Sequence, residues 1–86
     1  VVSQYFVRLN VVDQPGVLAR IATIFGESNI GISSVIQPEG HEGESVPLIF
    51  MLHYATNGVA AKALAKIAKL PTVKGNLVML RVENFE

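Results

Sequence analysis

Asp13-Gln14-Pro15-Gly16-Val17-Leu18 joins an alternating stretch to a helically spaced one, and its reading decides the fold. The chain must turn from strand to helix within about four residues here. Asp13 is a natural N-cap or the residue just before one, and it can serve as a cap with no other role. Pro15 suits the first helical position, where its missing N–H would have been unpaired anyway. Gly16 lets the backbone, or a ligand, come close. A helix starting this way leaves backbone N–H groups free, and a small anionic group can dock on them.

On the N-terminal side, Gln4 to Val12 alternates. Tyr5, Val7, Leu9 and Val11 share one face; Phe6, Arg8, Asn10 and Val12 share the other. β-Branched and aromatic residues at period two make this a strand. On the C-terminal side, Val17, Leu18, Ile21, Ile24 and Phe25 follow helical spacing, with Arg20, Thr23 and Glu27 outward. Gly26 and Ser28-Asn29 end that helix, with Asn29 in a left-handed conformation.

Further along, Ile32 to Gln37 reads as a second strand, with Ile32, Ser34 and Ile36 on one face and Ser33, Val35 and Gln37 on the other. Pro38 to Glu44 is a polar loop with two glycines, the turn of a hairpin. Val46 to Tyr54 is almost continuously apolar, the mark of a central strand covered on both faces. Asn57-Gly58 interrupts it. A second helix runs from about Val59 to Lys69, with Ala60, Ala63, Leu64, Ile67 and Leu70 inward, and Pro71 stops it. The last strand comprises Val73 and Leu77 to Glu83, split by Lys74-Gly75-Asn76.

Strand, helix, strand, strand, helix, strand is the order of an α+β, ferredoxin-like βαββαβ sandwich. It has a four-stranded antiparallel sheet with two helices on one face. The first and third strands are central there, and the second and fourth are edges. The edge Ile32 to Gln37 carries no charge and no proline, so it is open to pairing with a second copy.

Composition narrows the function. The 86 residues hold one core, half of them are hydrophobic, and seven basic side chains balance seven acidic ones. That balance argues against a phosphate-tracking surface, and with a positive mean hydropathy it favours self-association. No cysteine is present, which excludes disulfides, thiolate metal sites and cysteine nucleophiles. The first residue is Val and the chain enters a strand almost at once, as in a domain excised from a longer protein or a processed chain.

Other chemistry is thinly represented. His41 among Glu39, Glu42 and Glu44 has metal-ligand composition, but such clusters are more often solvated loop residues. His53 reads as a sheet-face or interface histidine, and Ser33-Ser34 has no neighbouring His or Asp to activate it. Gly16, Gly26 and Gly31 do not form a nucleotide fingerprint. Lys62, Lys66 and Lys69 form a solvated helix face. An RNA-recognition module of the same fold would stack bases on sheet aromatics; here the face reads Phe6, Arg8, Met51, His53 and Met79, with no basic aromatic stripe. No paired carboxylates, metal ligand set or cofactor loop supports an enzyme in these residues.

The runs LNVVDQPGVLARIATIF and SNIGISSVIQ resemble an ACT domain, the ligand-binding module attached to many amino-acid-biosynthesis enzymes. PLIFMLHYATN and VKGNLVMLRVE make the chain most similar to the C-terminal regulatory ACT domain of homoserine dehydrogenase. The resemblance implies regulation without catalysis in these residues, with no cofactor in this domain and NAD(P) in the parent enzyme. It implies a cytoplasmic homodimer formed through the second strand and first helix, with a small amino acid, threonine foremost, bound at the interface. A purely structural dimerisation module is the alternative. Carried over by position, the binding turn is Asp13, Gln14, Pro15, Gly16, Val17 and Leu18. The facing strand of the neighbouring subunit is Ser33, Ser34 and Val35. An amino-acid carboxylate would suit the N–H groups near Gly16 and Val17, and its ammonium an acceptor such as Asp13.

Overall fold

A computed structural model of the protein describes residues 2–37 and 45–82. Strand β1 (Val2–Val12) leads to helix α1 (Val17–Glu27), then strands β2 (Ile32–Ile36) and β3 (Ser45–Leu52). A two-residue strand β4 (Ala55–Thr56), helix α2 (Asn57–Ala68) and strand β5 (Val73–Val82) complete it. The sheet is antiparallel, with β3 and β1 central, β2 beside β3, and β5 beside β1. The ferredoxin-like order is as read from the sequence, with β4 as a fifth, short strand. It pairs Val2 and Ser3, one residue out of step with the β1–β3 register.

One face of the sheet carries the core. Tyr5, Val7, Leu9 and Val11 of β1 lie beside Val46, Leu48, Phe50 and Leu52 of β3, all buried. Helix α1 sets Val17, Ile21, Ile24 and Phe25 on this layer, and α2 adds Ala60, Ala63, Leu64 and Ile67. The rings of Phe25 and Phe50 meet at 5.3 Å with a 60° tilt, a favourable edge-on arrangement. Alanines at 60 and 63 place no bulk between α2 and its neighbours, so that helix can pack closely.

Both helix ends follow local chemistry. After α1, Asn29 is left-handed (φ 58°), the Ile30 N–H donates to the Phe25 carbonyl at 2.9 Å, and the Asn29 N–H donates to Gly26 at 3.0 Å. This pair of bonds is a Schellman closure, with Ile30 buried against the core. Helix α2 starts two residues before its expected start, because Thr56 caps it: the Thr56 hydroxyl oxygen accepts from the Val59 N–H at 3.3 Å. Asn57-Gly58 therefore forms the first turn of α2.

Three expectations about the sheet need correction. The third strand is central but not covered twice: Pro47, Ile49 and Met51 face away from both helices and are only half-buried. They share that open face with Phe6, Arg8, Ile36, Val78 and Leu80. Met79 is not on the open face, since it stands opposite Val7 on the helix side. The final strand is continuous from Val73, and Leu9 alone faces the stretch between Lys74 and Val78, where Gly75 has φ 71°. That local excess is a bulge, which is why the alternation looked broken. The hairpin assigned to Pro38 to Glu44, with His41 and its glutamates, lies outside the described residues, as do Glu83 and the tail.

Candidate ligand-binding site

The corner at residues 13–18 is a tight turn, and Asp13 does not cap the helix. The N-cap of α1 is Gly16, left-handed at φ 86° and ψ −12°, with no side-chain cap bond. The Val17 N–H donates to the Gln14 carbonyl at 3.4 Å, closing a turn with Pro15 and Gly16 at its centre. Proline at the second position and positive-φ glycine at the third define a type II turn. Pro15 thus precedes the helix and belongs to the turn that delivers it. The reason is steric: a type II turn needs φ > 0 at its third residue, and Gly16 supplies it without strain.

The amides therefore divide differently from the sequence expectation. Val17 N–H is occupied by Gln14, whereas the Gly16 and Leu18 N–H groups have no hydrogen-bond partner among the described residues. Asp13, Gln14, Pro15, Gly16 and Leu18 line one open cavity of about 410 Å³, with Gln37 as its remaining wall. Gln37 follows β2, and its contribution was not anticipated because sequence spacing cannot show that β2 ends beside the turn. Val17 points elsewhere: it is buried in the core and borders a neighbouring cavity of about 360 Å³ with Arg20, Leu70, Pro71 and Thr72. The cavity at the corner offers amide donors, the Asp13 carboxylate and two glutamine amides. Those groups match a zwitterion, with a carboxylate for the amides and an ammonium for Asp13.

Ser33, Ser34 and Val35 sit on β2, at the free edge of the sheet, and do not line that cavity in the same chain. The β2–β3 register slips between Ile32 and Ser34, and at the slip the Ser33 hydroxyl donates to the Met51 carbonyl at 3.1 Å. Ser34 faces the open side, opposite Met51, and Val35 the helix side, opposite Phe50. All three are exposed along an edge that carries no partner strand among the described residues. His53 follows β3; its N–H donates to the Gly31 carbonyl at 2.8 Å, so it is a structural link at the strand end.

Among the described residues, no three His, Cys, Asp or Glu side chains come together as a metal site. Among the described residues, no helix is long and apolar enough to cross a membrane.

Comparison with known proteins matches this geometry. Homoserine dehydrogenase of Methylobacillus glycogenes is 38% identical over 84 residues, which cover 96% of this chain and 20% of that protein. The Pseudomonas aeruginosa homoserine dehydrogenase is 39% identical over 84 residues, covering 96% of this chain and 19% of the relative. The chain thus spans about a fifth of the length of these curated relatives. The crystal structure of a homoserine dehydrogenase from Thiobacillus denitrificans superposes with a TM-score of 0.87 at 33% identity, covering 98% of this chain and 18% of that one. The family model described as ACT domain matches residues 5–72, which include the turn, both helices and three of the longer strands. This chain belongs to the ACT domain family.

Proposed function

We propose that this chain is the amino-acid-sensing regulatory domain of a homoserine dehydrogenase, acting as a dimer, with threonine as its foremost effector. The observation that carries the reading is the cavity at the Pro15–Gly16 turn, where unpaired Gly16 and Leu18 amides lie beside the Asp13 carboxylate. The effector carboxylate would bind those amides and its ammonium Asp13. Ser33, Ser34 and Val35 of a second copy would close the site from across the seam. The binding set is then Asp13, Gln14, Pro15, Gly16, Val17 and Leu18 from one copy and the β2 residues from the other. Val17 serves by seating the helix in the core.

An effector held between two copies favours the arrangement in which both contribute. It biases attached domains in proportion to its preference for that arrangement. The similarity to homoserine dehydrogenases supports a parent enzyme using NAD(P), with catalysis in its other domains and a cytoplasmic place in aspartate-family amino-acid synthesis. Isothermal titration with threonine, and with isoleucine, methionine, lysine and serine as comparators, tests the reading. Saturable threonine binding that requires the dimer supports it. No heat with any of the five at millimolar concentration overturns it.

The bare, uncharged β2 edge independently favours a second reading, a dimerisation module without an effector. That reading predicts dimers that form equally well with and without an amino acid, and no amino-acid response.

A further inference from the structure

The face of the sheet turned away from both helices is apolar across four strands. By register, Phe6 stands between Met51 and Leu80; one row on, Arg8 stands between Ile49 and Val78, with Ile36 beyond Ile49. Leu80, Ile36 and Val78 are exposed, and Phe6, Ile49 and Met51 are half-buried. Contiguous apolar surface of this extent on a folded domain marks a place of contact.

Its charge is of one sign. Arg8 lies in the middle of the patch, and Lys74, opposite Asn10, at its margin. The acids among the described residues, Asp13 and Glu27, sit at the turn and at the end of α1, off this face. Arg8 is exposed and has no ion-pair partner among the described residues. A guanidinium held on a central strand is set to receive a carboxylate through two parallel hydrogen bonds. A second copy laid on this face would bring cations against cations, so charge favours an unlike surface.

Area points the same way. Four strands about 4.8 Å apart and about five residues deep give a footprint of about 300 Å². Two surfaces of that size pressed together cover about 600 Å², which reaches the range for domains of one chain and falls short of the roughly 1,200 Å² of stable contacts between separate molecules. A partner tethered to the same chain needs less contact, because the tether already holds it at about millimolar effective concentration.

We infer that this face docks against another domain of the parent chain, on an apolar surface carrying a carboxylate that pairs with Arg8. The inference rests on the reading of this chain as one domain of a homoserine dehydrogenase, the curated relatives of which it spans for about a fifth of their length. It supplies that reading with a route: β1 carries Arg8 and runs on to the turn at Asp13, so the docked face and the effector corner share one strand.

The test is thiol labelling, with no amino acid added, of Leu80→Cys and separately Val78→Cys, each in the 86-residue chain and in the full parent enzyme, read by mass spectrometry of the peptide concerned. Lys62→Cys on α2 is the control. In the parent enzyme the two open-face thiols should react about tenfold more slowly than in the chain alone, the protection of a face covered about nine-tenths of the time, while the control reacts equally in both. Arg8→Glu should abolish the difference between parent and chain, and Arg8→Lys should keep most of it. Equal labelling in parent and chain overturns the inference. So does protection that rises with protein concentration, which marks a second copy, or protection that survives Arg8→Glu. Because no effector is present, a domain that ignores threonine can still pass, and a face that fails leaves threonine binding untouched.

Discussion

The imidazole of His53 lies against the backbone of Gly31 so closely that a Cβ there would sit 2.8 Å from its Cδ2 carbon, while the His53 N–H donates to the Gly31 carbonyl at 2.8 Å. The two residues splice the chain entering β2 to the end of β3, and only hydrogen at the Gly31 position allows the ring its place. Gly31→Ala should therefore destabilise the domain by about 1 kcal/mol through displacement of the ring, and His53→Ala in the same chain should recover most of that loss. Chemical denaturation of the two single variants and the double variant measures the coupling. Additive effects would show that the ring is not what excludes the methyl group.

Thr56→Ala removes the side-chain oxygen that accepts from Val59 and should cost about 1 kcal/mol, lowering the melting temperature by about 4–8 °C in a domain of this size. Thr56→Ser retains the oxygen and should lose much less. Thermal unfolding followed by circular dichroism distinguishes the two.

Gly16→Ala meets no neighbour, because nothing lies within 4 Å of the added carbon. Its cost is backbone strain alone, about 1–2 kcal/mol for an L-residue held left-handed. Gly16→Asn should cost less, since asparagine tolerates that conformation. In amino-acid titrations both variants should keep their dimers; Gly16→Ala, by loosening the turn, should bind threonine more weakly than Gly16→Asn. Equal and unaltered binding in both would remove the turn from the site.

Ile36 is 55% exposed at the end of β2, whose outer edge has no partner strand among the described residues. Ile36→Lys places a charge on that edge and should convert dimers to monomers in light scattering, while the far-ultraviolet spectrum stays that of the parent. A dimer that survives the lysine would show that the copies meet elsewhere.

Much of the architecture was legible because its signals are local. Val7, Leu9 and Val11 alternate, Ile21, Ile24 and Phe25 recur at helical spacing, and Pro71 stops a helix, so both layers and their order follow from periodicity. The start of α2 was not legible, because Asn57-Gly58 has the composition of a break and only the Thr56 cap makes it a first turn. Nor was the role of Asp13. Its type favours capping, but the type II turn at Pro15–Gly16 hands the N-cap position to a glycine. The apolar run of β3 was read as doubly covered because sequence records hydrophobicity and not what lies opposite, and here Ile49 and Met51 face no helix. At the turn, the residues before the helix were recoverable from motif, whereas Gln37 enters through tertiary folding. A further cavity, lined by Tyr5, Thr56, Asn57, Gly58, Met79 and Arg81, escaped notice for the same reason: its walls come from β1, the start of α2 and β5, and no short window of sequence contains them.

Strand β1 is bonded along most of its length by β3 on one flank and β5 on the other, and it ends in a different cavity at each extremity. A strand clamped on both flanks cannot slide or tilt by itself. A shift at either tip would therefore be shared with β3 and β5 and not taken up by β1 alone.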